Sequence, residues 1–426
     1  MPKIQELTAS FIYKLQNYFK IDLLYLVKGG SYLMLGKAVN LTSAFVVALA
    51  WANWINPEIY GNYQYILSLT AIISVFSLPE LETAVVQAVA RNLEGSFMRG
   101  FKTQLKWGIL ASLASLTAAG YYYWLKDNVL LALCFLVVAA FLPLFNASLI
   151  YASFLSGKKL FNFQVKYDSL TQVAAASIMI LTLFSVKHFL SNAPNFIVLL
   201  LIIFIYYLSR TLLRLFFLIK TKRKFNPNSQ EEAETVSYGK HLTLTGFIGT
   251  LSEYLDKILL FHYLGAIELA VYSFAVLVPK QIRVVIDHIA VLSLPKLSIR
   301  SREELKKTFI KKIYYLTALI SVLVIFYIII APWVYKILFP KYLTAIPYSQ
   351  LYALSVIPVS FSMISEIFKA KMVIKEIYQI RIIGPLVKIG LSVVLIPLYG
   401  IWGAILSALF ARTFNVFLYL FLFRKV

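Results

Sequence analysis

The sequence predicts an all-α, polytopic membrane protein with about twelve transmembrane helices in two six-helix lobes around a central cavity. Of its 426 residues, 60% are apolar and only 14% are charged, whereas roughly 25% of an average soluble chain is charged. The mean hydropathy is +0.77. A soluble protein of this composition could not cover its own surface with polar groups, so cytosolic, nuclear and secreted globular classes are excluded.

The spans follow from the apolar runs, because a helix needs about 20 mostly apolar residues to cross a bilayer. Twelve such runs lie near 31–52, 62–82, 105–125, 129–154, 169–186, 196–219, 240–262, 269–292, 313–334, 346–366, 382–399 and 401–423. Their connections are short, so no sizeable soluble domain is expected.

The longest internal connection divides these spans six and six. We therefore expect an N-terminal lobe at 29–219, a flexible cytoplasmic linker at 220–237 and a C-terminal lobe at 238–426. The two halves resemble one another weakly, and a shift that pairs Tyr63 with Tyr272 also pairs Ser43 with Ser252. Residues 1–28 have apolar side chains at helical spacing, which predicts an amphipathic segment on the membrane surface.

The distribution of charge predicts the orientation. The net charge is +22, and the predicted inner segments hold 28 of the 41 Lys and Arg residues, whereas the outer segments hold four. Lys and Arg are enriched in cytoplasmic loops, so both termini are expected in the cytoplasm. The same bias explains the high net charge without a nucleic-acid partner.

Motifs for catalysis or cofactor binding are not recognisable in the sequence. It lacks the phosphate loop of ATPases, the dinucleotide fingerprint and the common hydrolase motifs. The four His residues are scattered, and the one cysteine, Cys134, can form neither an intramolecular disulfide nor a zinc site by itself. We therefore expect no enzyme activity, no cofactor and no metal site.

Basic residues inside the spans are the strongest functional signal, because a charge at the bilayer centre costs about 2.5–3.5 kcal/mol on insertion scales. Seven of them lack an acidic partner in their own helix or lie next to another cation: Arg210, Arg214, Lys280, Arg283, Lys37, Lys388 and Arg412. All lie at the midplane or in the cytoplasmic half. Together they predict a positively charged cavity between the halves that binds an anion, although snorkelling or pairing across helices remains an alternative for each.

Asp256 is a carboxylate deep in the seventh span. It is a candidate coupling site for a cation or proton, as carboxylates are in many transporters. The alternative is an ion pair with a basic residue on another helix.

Four segments resemble those of a known family. Asn56-Pro-Glu-Ile-Tyr-Gly-Asn-Tyr63 is similar to the turn after the first span of bacterial polysaccharide flippases, and Phe76–Arg91 is similar to the end of their second span. Ile337–Ala345 and Leu395–Ala404 resemble their turns after spans nine and eleven. Pro340 and Glu80 depart from the family pattern at positions where glycine is common.

The resemblance implies the oligosaccharide flippase branch of the multidrug/oligosaccharidyl-lipid/polysaccharide exporter superfamily. It implies a multi-pass protein of the bacterial plasma membrane that moves a polyprenyl-diphosphate-linked oligosaccharide to the outer leaflet for polysaccharide biosynthesis. Its expected partners are that lipid, the bilayer and other membrane proteins of polysaccharide assembly. The alternatives are a cation-coupled multidrug exporter of the same superfamily, a membrane glycan polymerase or ligase, and a scaffold that transports nothing.

Overall fold

The computed structural model describes the backbone of residues 23–299, 302–371 and 373–425, and the side chains of 35–284, 311, 313–369, 371 and 373–424. Most of the predicted amphipathic segment, 1–28, lies outside these residues. The helices are α1 (Leu23–Trp54), α2 (Pro57–Ile73), α3 (Leu81–Ala90), α4 (Ser96–Gly120), α5 (Val129–Ala147), α6 (Ile150–Gly157), α7 (Phe161–Phe189), α8 (Asn195–Phe225), α9 (Glu234–Leu264), α10 (Ala266–Ile299), α11 (Arg302–Leu338), α12 (Ile346–Leu354), α13 (Met363–Ala370), α14 (Ile374–Tyr399) and α15 (Ile401–Lys425).

These helices form twelve segments, because α2 with α3, α5 with α6, and α12 with α13 each make one broken segment. Each predicted span overlaps one of them, and the prediction of an all-α polytopic fold is confirmed. Within the described residues, eight segments are long and apolar enough to cross a membrane, and nine if α2 and α3, bent by 49° near Pro79, count as one span. Helices α4, α9 and α10 fall outside this group. Of these, α9 carries Glu253, Asp256 and Lys257 in its middle.

The first six segments pack mainly with one another, and so do the last six. In the N-terminal lobe α1 packs on α7 and α5 lies between α4 and α8. In the C-terminal lobe α14 packs on α9 and α15, and α10 packs on α13. The lobes meet where α2 and α3 lie against α9 and α10. Large apolar side chains such as Leu181 and Phe417 are more than 60% exposed on the outside of the bundle, as expected for surfaces that face lipid tails.

Successive segments run in opposite directions and define two ends. The linker end contains the connections at 91–95, 158–160, 226–233 and 371–373, and the far end contains those at 55–56, 126–128, 190–194 and 339–345. Hydrogen bonds that join these connections confirm the grouping. Glu94 pairs with Lys158 at the linker end, and Lys341 donates to the carbonyl of Ile55 at the far end.

An aromatic cluster closes the far end between the lobes; we call it the far-end seal. Its members are Trp51, Tyr60, Tyr63, Phe274, Phe339 and Tyr342. The rings of Tyr60 and Phe274 are 4.7 Å apart across the lobe interface. Two of the family-like segments, 56–63 and 337–345, meet here. Asn56 starts α2 by accepting a hydrogen bond from the amide of Glu58, and Pro57 follows at a position where its missing N–H is not needed.

Gly61 allows the closest approach of the lobes. A Cβ atom at this position would lie 1.8 Å from the carbonyl oxygen of Ala266 in α10. Gly61 and the Ala266 carbonyl both belong to the backbone of a helix, so neither can move aside alone. A side chain at position 61 would therefore force the lobes apart. We expect Gly61→Ala to disfavour the far-end-closed state by about 1–3 kcal/mol, which is one to two orders of magnitude in population.

Spin labels at Asn192 and Lys336, which are exposed on opposite lobes of the far end, will measure this change as a longer distance. Gly390→Ala is the matched control, because a Cβ atom there meets nothing within 4 Å. Equal distance distributions in the two variants would show that Gly61 does not hold the lobes together.

The non-helical part of the linker is shorter than the sequence suggests. Helix α8 continues to Phe225 and α9 begins at Glu234, so the non-helical part is 226–233 rather than 220–237. This segment is bound to the 91–99 region: the amide of Gly95 donates to the carbonyl of Gln230 over 2.8 Å, and Arg91 and Arg99 pair with Glu232 and Glu231. The acids of this segment thus have arginine partners more than 130 positions earlier in the chain, and the predicted flexibility of the linker stays a prediction.

Glu94 organises this attachment. Its carboxylate accepts hydrogen bonds from Lys158 and from the amide of Asn228. Partial burial opposes ionisation, but these donors outweigh it, so the pKa of Glu94 is lowered below its ordinary 4.5. A lowered folded-state pKa means that the carboxylate stabilises the attachment above about pH 4.5, and that this is lost as the pH falls through the lowered value.

We expect Glu94→Gln to release the linker at neutral pH, because the amide keeps the shape of the carboxylate and loses its charge. Limited digestion with proteinase K should then cut within 226–233 faster than in the wild type. The wild type should reach the same cleavage rate only in acid, below pH 4.5. If Glu94→Gln resists cleavage as well as the wild type at neutral pH, Glu94 does not have this role. Glu376→Gln, on α14 away from the linker, is the control.

Candidate functional site

A cavity of about 250 Å³ lies within the C-terminal lobe, among α9, α10, α14, α15 and the chain between α12 and α13. It brings together five of the eight predicted site residues: Asp256, Lys280, Arg283, Lys388 and Arg412. We expected this cavity between the halves. It lies in one lobe because these five side chains all belong to helices that pack on α9 or α15.

The cavity has an excess of positive charge. Its lining contains four cations, Lys280, Arg283, Lys388 and Arg412, and two carboxylates, Glu253 and Asp256. The formal balance of these six groups is therefore two positive charges. In a site shielded by a bilayer such an excess is costly without a counter-ion, so the cavity is suited to an anion.

Asp256 is buried at 3% exposure and has partners from two other helices. Tyr272 of α10 donates a 2.5 Å hydrogen bond to its carboxylate, and the ammonium group of Lys388 on α14 lies 3.5 Å from the same oxygen. Lys388 also donates to the carbonyl of Ser252. Of the two readings of Asp256, this geometry favours the ion pair.

Arg412 is held in place by the broken segment opposite. One of its nitrogens donates to the carbonyl and the hydroxyl of Ser355, over 3.1 and 2.6 Å. Another donates to the hydroxyl of Tyr352 over 2.8 Å. The chain unwinds after Leu354, so the Ser355 carbonyl is free to accept this bond. The guanidinium is thereby fixed at the cavity wall with its charge uncompensated by these neutral partners.

Lys280 and Arg283 lie one turn apart on α10. Lys280 interacts electrostatically with Asp256, but within the described part of the chain its ammonium group donates no hydrogen bond. Its N–H donors are therefore available to a ligand. Arg283 is exposed at the cavity edge.

The predicted cations of the N-terminal lobe lie elsewhere and have acidic neighbours. Arg214 donates to the carbonyl of Phe145 over 3.0 Å and interacts electrostatically with Glu82 and Asp168. Lys37 also interacts with Asp168. Arg214 and Lys37 therefore have two carboxylates as neighbours.

Arg210 lies one turn from Arg214, and its guanidinium stacks on the ring of Tyr206 at 4.4 Å. The roles predicted for Arg210, Arg214 and Lys37 stay predictions.

Sequence reasoning did not identify several polar residues of the site. Tyr272 and Tyr352 contact Asp256 and Arg412, but a tyrosine in an apolar span gives no distinctive signal. Asn415 lines the cavity, and its amide oxygen is buried without a hydrogen-bond partner in the described part of the chain. No group of three or more His, Cys, Asp or Glu suited to a metal occurs among the described residues.

Comparison with known families assigns the chain. A family model described as polysaccharide biosynthesis protein matches residues 26–298, which is well over half of the sequence. The chain belongs to this family. A search of curated protein sequences gives no match.

Solved structures of similar fold are transporters. The chain is similar to the inward-facing conformation of a multidrug resistance MATE family transporter of the MOP superfamily, with a TM-score of 0.69, 14% identity, and 90% and 94% of the two chains covered. The outward-facing conformation gives a TM-score of 0.63 at 14% identity, with 94% of this chain and 95% of the other covered. The chain is also similar to a MOP superfamily transporter from Pyrococcus furiosus, with a TM-score of 0.62, 15% identity, and 94% and 95% of the two chains covered. That transporter is described as having a binding pocket of reverse polarity that suggests a different function. This polysaccharide biosynthesis family member is thus a multi-pass membrane protein with a MATE-like fold.

Proposed function

We propose that the protein is a flippase that moves a polyprenyl-diphosphate-linked oligosaccharide from the cytoplasmic to the outer leaflet of a bacterial plasma membrane by alternating access. The observation that carries this proposal is the excess of two positive charges in the cavity of the C-terminal lobe. A diphosphate that joins a polyprenyl chain to a sugar carries two negative charges, so binding neutralises the site.

The available donors suit a sugar diphosphate. Guanidinium groups match phosphate oxygens in geometry and charge, and Lys280 offers an ammonium group with free donors. Asn415 adds a buried amide oxygen, and leaving such an acceptor unpaired costs about 1–3 kcal/mol. A sugar hydroxyl can donate to it. A cavity of about 250 Å³ holds the diphosphate and the first sugar rather than a whole oligosaccharide.

The predicted orientation in the membrane determines the side from which the substrate enters. The Lys-rich and Arg-rich connections cluster at the linker end, which we assign to the cytoplasm together with both termini. The far-end seal then closes the path to the outside, so substrate enters from the cytoplasmic leaflet while its polyprenyl tail stays in lipid. Two negative charges moving outward gain about 2.3 kcal/mol per charge per 100 mV of inside-negative potential, and ATP is not required.

The cation-coupled multidrug exporter is the competing function within this fold. It requires a cavity whose carboxylates bind organic cations, whereas here Glu253 and Asp256 are outnumbered by four cations. The pocket of reverse polarity reported for the Pyrococcus furiosus relative supports the view that charge can change with function in this fold.

The test is leaflet-resolved flipping in proteoliposomes, with a polyprenyl-diphosphate oligosaccharide and an impermeant lectin that detects its exposure on the opposite leaflet. We expect protein-dependent exposure that an inside-negative potential accelerates. No exposure by folded protein under a potential, together with efflux of a cationic dye, would replace the flippase with the multidrug exporter. Glycosidic bond formation in the same vesicles would indicate a polymerase or ligase.

A further inference from the structure

A second basic pocket lies at the linker end of the N-terminal lobe, separate from the cavity described above. It has a volume of about 580 Å³ and lies between the start of α4, the end of α8 and the bound linker. Its charged lining residues are Glu94, Arg99, Lys102, Lys106, Lys222 and Glu231.

The carboxylates of this pocket are already neutralised. Glu94 pairs with Lys158, and Glu231 pairs with Arg99 over 2.9 Å. Lys102, Lys106 and Lys222 are exposed and have no carboxylate partner in the described part of the chain. The formal balance of the lining is two positive charges, so the pocket attracts an anion.

Two of these lysines repel each other on one helix face. Lys102 and Lys106 are four residues apart in α4, where like charges destabilise a helix by about 0.2–0.5 kcal/mol. No acid of α4 offsets them, because its described sequence contains none. An anion bridging the two ammonium groups would remove this repulsion.

The face below the lysines is apolar and exposed. Ile109, Leu110, Leu113 and Leu116 continue the stripe of Lys102 and Lys106 along α4, and each is more than 40% exposed. Trp107 lies one residue beyond Lys106, and the ammonium group of Lys240 lies 4.9 Å from the centre of its ring. Tryptophan is enriched at the membrane–water interface, which places the lysines at the depth of lipid headgroups and the stripe at the depth of acyl chains.

We propose that this pocket binds an anionic phospholipid, with its phosphate group between Lys102, Lys106 and Lys222 and its acyl chains along the apolar stripe of α4. The apolar stripe favours a phospholipid over a free phosphate ion. A free ion would contact only the lysines and would leave the exposed apolar side chains without a ligand. Each lysine near an anionic headgroup contributes about fivefold in affinity, so the three together contribute on the order of a hundredfold.

The test is native mass spectrometry of the full chain, titrated with dioleoyl phosphatidylglycerol, dioleoyl phosphatidylcholine or inorganic phosphate. The wild type should retain phosphatidylglycerol in preference to phosphatidylcholine, and phosphate should compete weakly. Lys102→Gln, Lys106→Gln and Lys222→Gln combined should lower phosphatidylglycerol affinity about a hundredfold. The single Lys106→Gln variant should lower phosphatidylglycerol affinity about fivefold. This variant tests the proposal if the triple variant does not fold.

The control combines Lys311→Gln, Lys375→Gln and Arg381→Gln, which removes the same charge from exposed positions at the linker end. Equal losses in both triple variants would overturn the proposal in favour of unspecific attraction. Phosphate that binds as tightly as the lipid would overturn it in favour of an ion site. Lys280→Gln changes the separate cavity of the C-terminal lobe and should leave phosphatidylglycerol binding unchanged. The lipid site therefore does not depend on the proposed flippase function.

Discussion

Replacing both Lys280 and Arg412 with glutamine is expected to slow transport of a polyprenyl-diphosphate oligosaccharide by two or more orders of magnitude. A hydrogen bond to a charged group contributes about 1.5–3 kcal/mol, and each 1.4 kcal/mol is a factor of ten. The double variant also brings the formal charge of the cavity to zero, so the two negative charges of the diphosphate would no longer be neutralised on binding. Leaflet-resolved flipping in proteoliposomes measures the rate.

Folding must be separated from function in this experiment. Glutamine at 412 can still donate to Ser355 or Tyr352, so the wall of the cavity should stay in place. The control is Lys126→Gln with Lys336→Gln, which removes two charges from exposed positions at the far end. Wild-type flipping by folded Lys280→Gln/Arg412→Gln protein would show that the substrate does not bind in this cavity.

Asp256→Asn is expected to destabilise the protein by about 3–5 kcal/mol, the usual cost of removing one partner from a buried ion pair. The asparagine can still accept the bond from Tyr272, but Lys388 and Lys280 then face each other without a carboxylate. Thermal unfolding in detergent, followed by tryptophan fluorescence, should show a clearly lower midpoint.

A double-mutant cycle distinguishes the two roles of Asp256. If it serves as the partner of Lys388, then Asp256→Asn with Lys388→Gln should be less destabilised than the sum of the single changes. A coupling carboxylate gives the opposite pattern: Asp256→Asn would be stable, and transport would lose its dependence on a cation or proton gradient. Lys126→Gln is a suitable control, since Lys126 is exposed at the far end.

The fold could be predicted because hydropathy and spacing are local properties. Each apolar run overlaps one helical segment, and Cys134 is the buried apolar residue that its surroundings imply. The linker could not be predicted by the same means. Its acids and its one proline are typical of flexible segments, but Glu231 and Glu232 have arginine partners in the distant 91–99 region, and no local pattern records such a pairing.

The sequence does not determine which way a side chain points around its helix. Position along a span predicts seven cations at the midplane or in the cytoplasmic half, but it does not say which helix each one faces. Arg214 and Lys37 therefore looked equivalent to Arg412, although acids of α3 and α7 lie near the first two. Neutral partners such as Tyr352 and Ser355 leave the charge of Arg412 available.

The most direct test of the central claim, that the C-terminal cavity transports its substrate by binding two negative charges, is a comparison of headgroups. Polyprenyl lipids with the same glycan and a diphosphate, a monophosphate or an uncharged link should be flipped in that order of decreasing rate. Lys280→Gln/Arg412→Gln should remove most of the difference. Equal rates for the three lipids in the wild type would contradict the claim.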